Sequence, residues 1–141
     1  MISEEDRAVY FAERLALGHQ ERVSGEEARL TIMSACKEMG VPRPNIIIHP
    51  EVASYDDGEM HVAGCWTGGA DDVGVLELFA SGLTRGVVSH ELAHFMAPSE
   101  EAHDAVWRGQ HIKMAAVMWP RSSLSLALSA SYKAANLTVI R

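Results

Sequence analysis

Polar capping residues followed by apolar positions at helical spacing predict two helices at the start of the chain. Ser3 with Asp6 resembles a capping box, and Gly18 is a suitable end for the first helix. A second box, Ser24 with Glu27, opens a helix that continues to about residue 40. The apolar faces are predicted to comprise Ala8, Phe11, Ala12 and Leu15 in the first helix, and Ala28, Ile32, Ala35, Cys36 and Met39 in the second.

Short β-rich runs between turn residues predict three strands in the middle of the chain. They span 45–49, 60–67 and 73–79. Glycine-rich and acidic turns separate them, and the paired aspartates there lack the alternate ligand positions of a calcium loop. Because side chains alternate along a strand, one face of the third strand should carry Gly74, Leu76 and Leu78, and the other Val73, Val75, Glu77 and Phe79.

The second half of the chain is predicted to be helical. Helices are expected from Thr84 onward, from about 101 to 118, and from 122 to about 135, with Pro98 and Pro120 as the breaks. No repeat or linker divides the 141 residues. The sequence therefore predicts one α+β domain over residues 1–141.

Composition narrows the class of protein. Hydrophobic residues make up 48% and charged residues 22%, which is typical of a globular chain, and the net charge of −7 argues against a general nucleic-acid clamp. The acidic start does not resemble a signal peptide, and no apolar run could span a bilayer, so we expect a soluble, cytoplasmic protein without membrane contact. Cys36 and Cys65 form no CxxC pair and are expected to be buried thiols.

One motif carries recognisable chemistry, the HExxH sequence at 90–94. On a helix, His90 and His94 lie one turn apart on the same face, so both imidazoles can reach one metal ion. Glu91 is offset around the helix axis, where a carboxylate can take a proton from a water that zinc has activated. Thr84 is a suitable N-cap for this helix, so the helix is predicted independently of the motif.

A catalytic zinc site needs a third protein ligand, for which His103 is the best candidate. Eight residues separate it from His94, and Pro98 with Ser99 supplies a turn that brings the chain back. Zinc is the expected metal, although affinity alone does not exclude manganese, iron or cobalt. Nearby carboxylates are alternative ligands: Glu100, Glu101 and Asp104.

Three further side chains are candidates for a role around the metal. Trp107 shares a predicted helix face with His103, as a core aromatic that could also wall the metal pocket while packing. His111 lies one turn further along, either as a histidine with satisfied hydrogen bonds or as a group that supports the site. Tyr132 and His111 are the candidates for stabilising an oxyanion.

These residues resemble a family of small HExxH metallohydrolases from actinobacteria and their phages. The likeness rests on HELAH at 90–94, on Ala102-His103 followed by Trp107, on the segment RAVYFAE at 7–13, and on Tyr132. The chain departs from the family at 104–106, where Asp-Ala-Val stands in place of Gly-Pro-Glu. The motif spacing is more distantly similar to that of SprT-like and WLM metallopeptidases of the zincin class.

The resemblance implies a zincin-like fold, with the active-site helix against a small, mostly antiparallel sheet and further helices around it. It implies His90, His94 and His103 as metal ligands and Glu91 as general base. In zincins an edge strand beside that helix binds extended peptide by backbone pairing, and the strand at 73–79 directly precedes the helix.

The function expected from the motif is zinc-dependent hydrolysis of peptide bonds in a peptide or protein substrate. One alternative is hydrolysis of another amide or an ester. A second is a binding or regulatory module that keeps the metal without turnover. Glu91 favours an enzyme, because a structural site needs ligands but no general base.

Overall fold

A computed structural model describes residues 3–18, 22–50, 64–67, 74–97 and 103–140, with the backbone alone at 64–67 and at residue 81. Helices and strands in these ranges confirm the α+β class predicted from the sequence. In chain order the elements are α1 (Glu4–Leu17), α2 (Gly25–Met39), β1 (Asn45–His49), β2 (Gly64–Thr67), β3 (Val75–Phe79), α3 (Arg85–Met96), α4 (Ala105–Met118) and α5 (Leu124–Ala134). A single 3-10 turn, Ala80–Gly82, joins β3 to α3.

Side-chain caps fix the starts of α1 and α2 where the sequence predicted them. The Ser24 hydroxyl accepts a hydrogen bond from the backbone N–H of Glu27 at 3.1 Å, and the Glu27 carboxylate accepts one from the backbone N–H of Ser24 at 3.4 Å. Ser3 caps α1 by accepting from the backbone N–H of Asp6. Gly40 ends α2 in the left-handed conformation that glycine adopts without strain.

The buried face of α1 differs from the one that its apolar spacing predicts. Val9, Ala12 and Leu17 are buried, whereas Phe11 is 59% and Leu15 is 65% exposed. The stripe that faces the protein also contains a carboxylate, Glu13, which is only 13% exposed. A search for apolar periodicity misses such a face, because a polar side chain interrupts it.

The sheet is mixed rather than mostly antiparallel, which corrects the expectation. Its strand order is β1-β3-β2, with β1 parallel and β2 antiparallel to β3. Since β3 runs between the other two, it has one neighbour of each orientation. The connection from β1 to β3 is long enough for the crossover that a parallel pair requires. Within the strand, Leu76 and Leu78 are buried and the alternate side chains are partly exposed, as predicted.

The central position of β3 rules it out as a strand that captures peptide. Both of its edges are occupied, by β1 and by β2. Among the described strands, β2 is the edge strand that lies against α3. The residues expected to extend the second and third strands, 60–63 and 73, lie outside the described residues, as do the predicted acidic turns and Pro98.

Helix α3 lies between two hydrophobic cores. Its Val88 and Leu92 pack with α2 and the sheet, and Ala93 packs with α1, α4 and α5. The histidine-bearing helix is therefore held from both sides. Cys36 is buried in the first core, as expected, while the side chain of Cys65 lies outside the described residues.

Candidate metal centre

Three histidines from two segments converge on one point. His90 Nε2 lies 2.9 Å from His103 Nε2, and His94 Nε2 lies 3.2 Å from the same atom. His90 and His103 are buried, and His94 is partly buried. The structure thus brings together the three side chains that the sequence singled out as ligands, in an arrangement that could hold a metal ion.

Local backbone structure places each histidine. The Thr84 hydroxyl accepts a hydrogen bond from the backbone N–H of Val87, so α3 starts where predicted and His90 and His94 are one turn apart. His103 precedes α4 in a left-handed conformation, with φ of 65°. A residue in this conformation cannot belong to a right-handed helix, so α4 begins after His103, later than the expected residue 101.

The carboxylates considered as alternative ligands take no part in the convergence that the structure describes. The Asp104 side chain caps α4 by accepting a hydrogen bond from the backbone N–H of Trp107 at 2.9 Å. Glu100 and Glu101 lie outside the described residues. His103 is therefore the third member of the cluster in the described part of the chain.

Two carboxylates from α1 hold the far sides of the imidazole rings. Both oxygens of Glu13 lie 2.9 Å from Nδ1 of His90, and an oxygen of Asp6 lies 2.9 Å from Nδ1 of His103. A carboxylate at Nδ1 keeps the proton on that nitrogen, so the lone pair of Nε2 is directed to the shared point. These carboxylates therefore select the tautomer that a metal ion binds.

The role of Asp6 and Glu13 was missed in reading the sequence, although a signal existed. The two residues are seven positions apart, which places them on the same face of a helix, two turns apart. Glu13 also closes the 7–13 segment on which the family resemblance rests. Tyr10, from the same segment, stacks on His90 and meets the ring of His103 edge-on.

The pKa values of the cluster reflect burial and mutual charge. Burial, together with the neighbouring histidines, lowers the pKa of His94 to about 2. Burial and His90 also lower the pKa of His103, which Asp6 only partly offsets. Burial alone would lower the pKa of His90, but the charge and hydrogen bond of Glu13 outweigh it and raise that pKa. Two of the three imidazoles are thus neutral, the form that binds metal.

The donor set fits a transition metal ion. With Nδ1 of His90 and of His103 committed to carboxylates, two Nε2 lone pairs would face each other at 2.9 Å, which is repulsive unless a proton or cation lies between them. Nitrogen ligands in a tetrahedral zinc site are about 3.3 Å apart. The two spacings to His103 Nε2 are close to this value, and all three ligand atoms lie within 4.8 Å of one another. Imidazole ligands favour zinc, copper, iron or nickel over magnesium or calcium.

Glu91 follows His90 on α3, and its side chain is buried. Burial raises the pKa of its carboxyl group, the charge of His90 lowers it, and Glu13 raises it again, with a net increase. A carboxylate with a raised pKa is a stronger base than one in water. Glu91 is therefore suited to accept a proton beside the histidines.

Trp107 is both a core residue and a wall of the site. It is fully buried, and its ring centroid lies 4.7 Å from those of His90 and His103 and 5.2 Å from that of His94. The two roles considered for this residue from the sequence thus coincide. Its indole Nε1 has no hydrogen-bond partner among the described residues.

His111 and Tyr132 bind each other. His111 Nδ1 lies 2.8 Å from the Tyr132 hydroxyl, and its Nε2 lies 3.3 Å from the Ser89 hydroxyl. The Ser89 hydroxyl donates to the Gly86 carbonyl, so it accepts from Nε2–H of His111, and Tyr132 donates to Nδ1. Burial lowers the pKa of His111 to about 4. Both groups are committed inside the protein, so the structure does not support either as an oxyanion donor.

Comparison with known proteins yields no relative. No family model matches the chain. No curated protein and no solved structure matches it. No helix in the described part of the chain combines the length and the apolar character needed to cross a membrane.

Proposed function

We propose that the protein is a zinc-dependent hydrolase that cleaves peptide bonds. The supporting observation is the convergence of three imidazoles, from His90, His94 and His103, together with the buried Glu91 that directly follows the first of them on α3. Three imidazoles with one coordination position left for water are the ligand pattern of a catalytic zinc. A general base next to that pattern has no use in a purely structural site.

Each group at the site has a separate role in the proposed hydrolysis. Zinc at this site would lower the pKa of the attacking water and polarise the scissile carbonyl. Glu91 accepts the proton of that water and delivers it to the leaving nitrogen, so its protonation state is restored after each cycle. Glu13 and Asp6 orient the imidazoles throughout, through hydrogen bonds at Nδ1.

The sheet next to α3 supports an extended peptide as the substrate. Strand β2 lies against α3 and, among the described strands, is an edge of the sheet. An edge strand presents unpaired backbone groups to which a peptide can add as a further strand. This geometry favours peptide bonds over the amides and esters of small molecules.

No carboxylate of the described residues joins the three histidines, which favours an enzyme over a module that keeps the metal without turnover. A carboxylate beside His103 could close the coordination sphere, yet the Asp104 side chain caps α4 instead. A closed set of four protein ligands is typical of structural zinc, and a set of three is typical of catalytic zinc.

The test combines metal counting with cleavage of a quenched fluorescent peptide library. We expect about one zinc per chain in the wild type and in Glu91→Gln, with cleavage reduced at least about 100-fold in the variant. Glu38→Gln, an exposed carboxylate on α2, is the control and should cleave as the wild type does.

Each other outcome removes a part of the proposal. Absence of zinc from the wild type, even after it is added back, would overturn the metal site. Undiminished cleavage by Glu91→Gln would overturn the general base. Zinc binding with turnover of esters alone would replace peptides by esters as the substrate class. Zinc binding without any turnover would support a binding or regulatory module.

A further inference from the structure

The indole N–H of Trp107 is a buried donor without an acceptor. Trp107 is fully buried, and its Nε1 is the one buried side-chain nitrogen or oxygen of the described residues that has no hydrogen-bond partner. Buried polar groups in folded proteins are nearly always paired, and an exception calls for a reason. Indole is a donor only, so the missing partner must be an acceptor.

The imidazoles that surround the indole do not supply that acceptor. Nδ1 of His90 and Nδ1 of His103 pair with carboxylates, and both ring nitrogens of His111 pair with hydroxyl groups. The Nε2 atoms of the three clustered histidines face their common point. The described part of the chain therefore holds no acceptor for the indole, and a ligand bound at the cluster would supply one.

Packing holds the indole beside the metal-binding cluster. Its ring centroid is between 4.7 and 5.2 Å from those of the three clustered histidines, and also 4.7 Å from that of His111. The backbone N–H of Trp107 donates to the Asp104 cap, which fixes the residue in the first turn of α4. The residue is thus held beside the cluster before any ligand binds.

We propose that the Trp107 indole N–H binds an anionic oxygen of the ligand or substrate at the metal centre, such as a hydroxamate, a carboxylate or the oxyanion of an acyl-transfer reaction. This inference rests on the proposed metal site. A neutral donor in water-excluded surroundings binds such an oxygen strongly and, unlike a histidine, does not compete for the metal. It fills the role for which His111 and Tyr132 are unavailable.

The experiment measures binding of acetohydroxamate to the zinc-loaded protein. Trp107→Phe keeps an aromatic ring and removes the N–H, and Trp119→Phe is the control, since that partly buried tryptophan stacks with Arg85. We expect one zinc per chain in all three proteins. Acetohydroxamate should bind about 10- to 100-fold more weakly to Trp107→Phe alone, the loss of one hydrogen bond to a charged acceptor.

A second readout does not depend on the folding of that variant. In wild-type protein labelled with ¹⁵N-tryptophan, the indole proton of Trp107 should move downfield when acetohydroxamate is added. Spectra of Trp66→Phe and Trp119→Phe assign its signal by elimination.

The outcomes separate this inference from the proposed function. Zinc in the wild type with equal acetohydroxamate affinity in Trp107→Phe, or with an unmoved Trp107 signal, overturns the role of the indole alone. A wild type that binds no zinc overturns the metal centre and this inference with it.

Discussion

Glu13 and His90 are 77 positions apart in the chain, yet both carboxylate oxygens of Glu13 lie 2.9 Å from Nδ1 of His90. The charge of His90 keeps the pKa of Glu13 below its usual value, although burial alone would raise it. Glu13 remains ionised although it is buried, because its carboxylate faces the protonated Nδ1 of His90. A carboxylate of α1 thereby orients an imidazole of α3.

Replacing this carboxylate tests its influence on the metal. Glu13→Gln keeps the shape of the side chain but removes the charge that fixes the His90 tautomer. Loss of such a partner typically weakens metal binding about 10- to 100-fold. Competition with a chromophoric chelator measures the effect. Glu4→Gln, an exposed change on the same helix, should bind zinc as the wild type does, and equal affinity in both variants would refute the role of Glu13.

The left-handed conformation of His103 predicts an order of stability among its variants. A side chain with a Cβ is strained at φ of 65°, whereas glycine is not. In the absence of metal, His103→Gly should therefore be more stable than His103→Ala by about 1 kcal/mol in urea unfolding. Both variants lack the imidazole and should bind zinc weakly. The opposite order of stability would mean that the loop relaxes away from this conformation.

Arg108 joins the start of α4 to two other segments. Its guanidinium donates to the carbonyl of His103 at 2.7 Å, to the carbonyl of Thr138 at 2.7 Å and to the carboxylate of Glu5 at 2.9 Å. Arg108 is buried, but the Glu5 side chain is 59% exposed. The two carbonyl contacts should therefore contribute more than the ion pair, which water and salt screen.

The two variants of this contact should differ clearly. We expect Arg108→Gln to lower the free energy of unfolding by about 2 kcal/mol, since two carbonyls lose a charged donor. Glu5→Gln should cost less than about 1 kcal/mol. Urea unfolding of the metal-free proteins measures both. A larger loss in Glu5→Gln than in Arg108→Gln would show that the ion pair dominates.

Cys36 predicts how the fold responds to high pH. Burial raises the pKa of its thiol from 9.0 to about 11. The folded state thus favours the protonated thiol, and this contribution to stability is present below about pH 9 and is lost as the pH rises towards 11. In a Cys65→Ser background, Cys36 should react with a disulfide reagent at pH 8 at least about 100-fold more slowly in the native than in the unfolded protein. Equal rates would contradict the burial.

Local signals in the sequence predict local structure well. The box at Ser24, the cap at Thr84 and the strand at 45–49 all occur where the sequence places them. Each depends on contacts between residues within a few positions, which a sequence displays directly. The convergence of His103 with the HExxH pair also follows from spacing, because only a short turn can join them.

Contacts between distant segments account for what the sequence did not predict. Whether β1 pairs parallel to β3 depends on the path of the chain between them, which strand patterns do not encode. The inward face of α1 contains Glu13, which pairs with His90 on the distant helix α3. The hydrogen bond between His111 and Tyr132 likewise joins two helices. The sequence around either residue therefore does not show that the other is its hydrogen-bond partner.

Asp6 and Glu13 lie on the first helix, whereas the histidines that they contact lie much later in the chain. The histidine centre can therefore be completed only after the later segments have been synthesised. A growing chain that has made α3 holds only the histidine pair of the motif, without the third imidazole. Under the proposed function, tight binding of a metal ion would require His103 to be synthesised and α1 to dock against both histidine-bearing segments. Under the proposed function, hydrolysis would require all of these segments, so a chain that has not yet reached residue 103 would not cleave its neighbours.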